Sequence, residues 1–97
     1  MKIYYWDIEK NESLKKERAV SFEDVLYYIS KGKLVTIIQH PSPDKYPGQK
    51  MYIVDINDYA YLVPFVETGK EIFLKTIIPS RKATKMYLEK RNEDETG

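Results

Sequence analysis

Ninety-seven residues, 42% hydrophobic and 32% charged, suffice for one domain with a single modest core. The absence of cysteine excludes disulfide frameworks and thiolate metal sites, and with one histidine, His40, zinc would need carboxylates at unusual spacing. No apolar stretch approaches the ~20 residues of a bilayer span, and the acidic start MKIYYWDIEKNE does not read as a signal peptide, so a cytoplasmic address is expected.

Ile3, Tyr4, Tyr5 and Trp6 make a short apolar start. Asp7 then caps a helix reaching about Arg18, in which Leu14 is the clearest apolar residue and Lys10, Lys15 and Lys16 crowd the surface. The stretch VSFEDVLYYISKGK carries a stronger helix signal. Ser21 stands at the N-cap with Asp24 three residues on, a relative of the capping box. Phe22, Val25, Leu26 and Ile29 share one apolar face, and Gly32 suits the stop.

From Leu34 the period becomes extended. KLVTIIQH reads as a strand, PSPDKYPGQ as a loop restricted by three prolines, and KMYIVDI as a second strand. Asn57 and Asp58 are a two-residue turn signal before a third strand, YAYLVPFV, in which Pro64 fits only at a bulge or an edge. Glu67 to Lys70 turn the chain into a fourth strand, EIFLKTII, and Ser80 caps a last helix running to Lys90. The expected fold is α+β: two N-terminal helices, a four-stranded antiparallel sheet in chain order and a C-terminal helix, with the helices against one face. Phe22, Leu26, Ile29, Ile53, Leu62, Phe65, Leu74 and Ile77 are expected to share one core. Residues 1–91 form this domain, and 92–97 read as a short disordered acidic tail.

The net charge of +1 hides an uneven distribution. Residues 1–70 hold ten basic and ten acidic side chains, 71–91 hold six basic and two acidic, and 92–97 hold three acidic. Positive charge is thus concentrated in the last strand and helix, either as a solvated face or as a surface for a polyanion.

Several chemistries drop out. No GxSxG, HExxH, Walker loop or GxGxxG occurs, and no carboxylate pair has the spacing of glycoside chemistry. His40 follows a strand and precedes Pro41, which suits a loop histidine with a local hydrogen bond, or a general acid or base. Of nine tyrosines, Tyr52, Tyr59 and Tyr61 lie on strands, where rings pack against neighbours. Tyr46, in the loop, and Tyr87, on the basic helix, are placed to stack on a base or to donate a proton. Arg81 follows the Ser80 cap, where the helix dipole disfavours a cation by a few tenths to ~1 kcal/mol unless an anion such as a phosphate sits there.

The two ends of the chain carry a resemblance. Trp6, Asp7, Lys10 and Asn11, then Val20, Ser21, Phe22 and Glu23, and finally Pro79, Ser80, Arg81, Lys82, Ala83 and Thr84 resemble the motifs of the BrnT toxins, small ribonucleases of the wider RelE-like fold from bacterial toxin–antitoxin pairs. The resemblance implies that Arg81 acts in RNA cleavage, that translation is inhibited, that the partner is a ribbon-helix-helix antitoxin, and that no metal or other cofactor is needed. The chain departs from the family pattern at Glu17, Arg18 and Ala19, where the family has Lys-His-Gly. It departs again in the last strand, where Lys75 stands one residue away from a family arginine, and in the proline loop.

The expected activity is therefore metal-independent RNA cleavage, on free or ribosome-associated RNA, by attack of a ribose 2′-hydroxyl on the neighbouring phosphate. Arg81 is the first choice for the phosphate, with Lys75, Lys50 and Lys16 or Arg18 as supporting cations. Lys82 and Lys85 extend the RNA-binding surface, and His40, Tyr46 or Tyr87 would move the proton. The alternative is a non-catalytic module of the same fold that binds an antitoxin or nucleic acid.

Overall fold

Asp7 and Ser21, the two short polar residues that precede the apolar periodicity, open the two N-terminal helices. The computed structural model describes residues 2–40, 42, 44–45 and 47–89, so Tyr46 and the acidic tail at 92–97 lie outside the described residues. A first strand, β1 (Ile3–Trp6), leads into α1 (Ile8–Arg18) and α2 (Phe22–Ser30). The Asp7 carboxylate accepts from the Lys10 N–H at 2.9 Å, and Ser21 and Asp24 complete a reciprocal capping box. Between the helices Ala19 takes a left-handed conformation, φ 55°, which a side chain disfavours and which glycine adopts freely.

Four strands follow: β2 (Leu34–Gln39), β3 (Lys50–Ile56), β4 (Tyr59–Thr68) and β5 (Glu71–Leu74). They pair antiparallel in chain order, as the short connections imply. Asn57 and Asp58 both have positive φ, the geometry of a tight two-residue hairpin turn, and Ile56 faces Tyr59 across it.

The sheet has two further strands. The apolar start β1 pairs in parallel with β5, Trp6 opposite Leu74, so the sheet is mixed and six-stranded rather than antiparallel and four-stranded. The expected fourth strand over 71–78 also breaks, into β5 and a two-residue β6 (Ile78–Pro79) that pairs with Leu62 and Tyr61 of β4. Pro64 supplies the reason. Its carbonyl accepts from the Lys75 N–H at 2.9 Å, so its donorless nitrogen faces the same neighbour. The ladder lacks a bond there, and Thr76 and Ile77 leave it before β6 rejoins β4.

Strand alternation divides the core in two. On the first face, Leu14, Phe22 and Val25 of the helices pack with Tyr52, Val54, Val63, Phe65, Leu74 and Ile77, while Leu26 and Ile29 lie partly buried against them. Trp6 stacks on Phe22 at 5.5 Å between ring centroids, and Tyr52 on Phe65 at 4.1 Å. Ile53 and partly buried Leu62 belong to a second cluster on the opposite face, with Ala60, Ala83 and Leu88. The expectation of one core over eight residues is corrected: Ile53 and Leu62 differ in parity from the inward residues of their own strands.

The chain ends on that second face, so helices cover both faces rather than one. α3 (Arg81–Ala83) runs on as a π-helical segment, Thr84–Glu89, of wider turn than the α-helix expected to Lys90. Ser80 caps it by accepting from the Ala83 N–H at 3.0 Å. The buried Thr84 hydroxyl accepts from the Ala60 N–H at 2.9 Å and donates to the Ser80 carbonyl at 2.8 Å, tying the helical run to β4.

Candidate nucleic-acid interface

The last helical segment lies over Ile53, Ala60 and Leu62, and a groove of about 250 Å³ opens between it and the sheet. Ile38 and Met51 line the groove from β2 and β3, Ser80, Lys82, Met86 and Tyr87 from the chain end. Lys82 and Tyr87 were legible as candidates. Met86 and Met51 were not, although Met86 stands four residues beyond Lys82, on the same side of a helix, and is 50% exposed.

Register places Lys75 and His40 on the same face. The Lys75 N–H bond to Pro64 continues the β5 ladder, so Lys75 follows Phe73 in pointing away from the first-face residues Ile72 and Leu74. The row then runs from Lys75 through Pro64 to Met51 and Ile38 of the groove. On β2 the ladder extends one residue through a 2.9 Å bond from the His40 N–H to the Gln49 carbonyl, and alternation puts His40 with Ile38. The His40 Nδ1 accepts from the Ser42 N–H at 3.0 Å, the local bond expected of a loop histidine.

Arg81 and Lys85 are exposed on the same helical run but lie outside the groove lining. Among the described residues, Arg81, Lys82, Lys85 and Lys75 form no ion pair; the two pairs present are Lys2–Glu67 and Lys15–Glu12. The remaining candidates are elsewhere. Lys50 points to the first face, into a separate pocket of about 310 Å³ shared with Lys2, Tyr4, Tyr52 and Glu67. Lys16 is exposed on α1, which packs on that face. Arg18 donates to the Ile77 carbonyl, bracing the broken strand from the end of α1. The cations read as one set thus divide between two faces, and Tyr46 is outside the described residues.

The perturbed ionisations belong to the first face and the helical hairpin. The hydrogen bond from Lys2, and then its charge, holds the Glu67 carboxyl below the usual range. Burial pushes the Tyr52 phenol up, reinforced by a hydrogen bond with Tyr4. A hydrogen bond from Asn11 lowers Glu23. Among the described residues no cluster of three or more His, Asp or Glu side chains is placed to hold a metal ion. Nor is any helix there long and apolar enough to cross a membrane.

What the second face offers is electrostatic and apolar: among the described residues, cations without an ion pair around a groove lined by one phenol and no carboxylate. Such a surface suits a strand that is anionic along its backbone and flat and apolar at its bases. No protein-family model, curated protein or solved structure matches the chain.

Proposed function

We propose that the protein is the toxin of a bacterial toxin–antitoxin pair, an endoribonuclease that inhibits translation by cutting RNA. One observation carries the reading. In the run from Ser80 to Thr84, the cap of Ser80, the burial of Ala83 and the two hydrogen bonds of Thr84 account for three residues by the fold alone. Arg81 and Lys82 are left exposed and without an ion pair among the described residues. Cations that the fold does not use, beside a groove, support a role toward phosphate.

In the proposed reaction the 2′-hydroxyl gives its proton to water as its oxygen attacks the adjacent phosphorus, the bond to the 5′-oxygen breaks, that oxygen leaves with a proton, and a cyclic phosphate remains. Arg81 and Lys82 neutralise the charge that grows on the phosphoryl oxygens, while Lys75 steers the strand across the sheet. Tyr87 or His40 donates the proton to the leaving oxygen. The RelE-like fold and a ribbon-helix-helix antitoxin belong to the same reading. The antitoxin would act by covering the cations around Arg81 with acidic or aromatic groups, and its binding would weaken with salt.

A second reading, a non-catalytic module binding antitoxin or nucleic acid, has its own support: among the described residues neither a carboxylate nor a histidine lines the groove as a base. Induced expression with and without a co-expressed partner separates the two. Growth arrest, with RNA fragments bearing new 5′-hydroxyl ends, is the expected result. Unimpeded growth and intact RNA, with partner or nucleic acid still bound, would favour the module.

A further inference from the structure

The groove beside Lys82 has a shape as well as a charge. At about 250 Å³ it is smaller than the several hundred Å³ of sites for drug-sized ligands, and accommodates one flat ring system rather than a base pair. Met51, Met86 and Tyr87 line it, thioethers and a ring that pack well on an aromatic face. Ser80 and Lys82 add the polar part, and no carboxylate lines the groove among the described residues.

Resting on the function proposed above, we infer that this groove holds one unstacked nucleobase of a single-stranded RNA, with Lys82 meeting that nucleotide's phosphate. Base against ring supplies affinity that tolerates different bases, since every base has a π-face. A duplex hides those faces, and extruding a base from it costs a few kcal/mol, so the groove selects unpaired RNA. The rival occupant, an apolar side chain of a protein partner, needs a second, acidic group of that partner to meet Lys82, whereas one nucleotide supplies both the ring and the charge.

The test is equilibrium binding of labelled 2′-O-methyl pentanucleotides, which cannot be cut, to the full chain. The strands are intact, abasic at each position in turn, or annealed to a complement. One abasic position is expected to weaken binding about 5- to 150-fold, and annealing should also weaken it. Tyr87→Ala should weaken the intact strand by a similar factor yet barely change binding of that abasic strand, because both remove one contact. Tyr87→Leu, which keeps apolar bulk over the sheet, serves in its place should Tyr87→Ala melt early. Tyr5→Ala removes an aromatic that is 44% exposed on the same face but outside the groove, and should change nothing. Equal binding of intact and abasic strands, independent losses that multiply, or an equal effect of Tyr5→Ala would overturn the inference while RNA binding stood. A folded protein that binds none of the strands would overturn the proposed function with it.

Discussion

Residues 6–24 and residues 80–84 are both rich in short polar side chains, and both precede or open helices. In the first stretch each such residue has a structural partner. Asp7 caps α1, and Ser21 and Asp24 cap α2 reciprocally. Asn11, 4% exposed, donates to Glu23 at 2.7 Å and accepts from the Phe22 N–H at 2.8 Å, locking the two helices together. In the second stretch Ser80 and Thr84 are used in the same way, but Arg81 and Lys82 are not. A motif can therefore be read by subtraction: once the residues that capping and packing require are removed, exposed cations remain in both stretches, Lys10 and Lys16 in the first and Arg81 and Lys82 in the second, but only the second pair stands on the helical run that borders the groove.

The contrast breaks most directly at Arg81. Arg81→Ala should lower RNA cleavage about 10²–10³-fold, or ~2.7–4 kcal/mol in the barrier, with little change in melting temperature. Arg81→Lys should restore part of the activity, since a point charge does not reproduce the guanidinium fork. A variant that melts early yet cuts normally per folded molecule would move Arg81 into the class of Asn11. Asn11→Ala should do the opposite. It leaves the Phe22 N–H buried without its acceptor, a loss of ~1–3 kcal/mol visible in denaturant unfolding, with cleavage per folded molecule unchanged. Thr84→Val extends the test into the second motif, stranding the Ala60 N–H at a cost also on the order of 1–3 kcal/mol, again without a selective effect on cleavage.

Smaller effects sharpen the comparison. Ala19→Gly relieves a left-handed residue between α1 and α2 and should stabilise the fold by about 1 kcal/mol. The last concerns pH. Glu23 is lowered from 4.5 by its bond from Asn11, so its contribution is present above 4.5 and is lost as pH falls through the folded value. Glu23→Gln should flatten the acid limb of stability measured below pH 5, and the same limb should flatten in Asn11→Ala. An acid limb unchanged in both would show that the pair does not couple to folding.

The helix caps, the two-residue turn at Asn57 and Asp58, and the antiparallel order of β2 to β5 were legible because each is encoded within a few residues: a cap and its acceptor lie three apart, and a short turn forces its strands to pair. Ser80 was recognisable as a cap for the same reason. The parallel pairing of β1 with β5 joins residues 3–6 to 71–74, and no local period announces it. Pro64 was marked as a misfit, but only its neighbours reveal that the misfit falls opposite the gap between β5 and β6. Charge identified Lys50, Lys75, Arg18 and Lys82 as one set, because composition has no direction. Register turned Lys75 and Lys50 to opposite faces, and Arg18 reached a carbonyl 59 residues away. Local chemistry determined where the helices begin and the order of β2 to β5. Which cations share a face, and which groove they border, followed from long-range strand pairing, whose two-residue alternation gives every side chain its side.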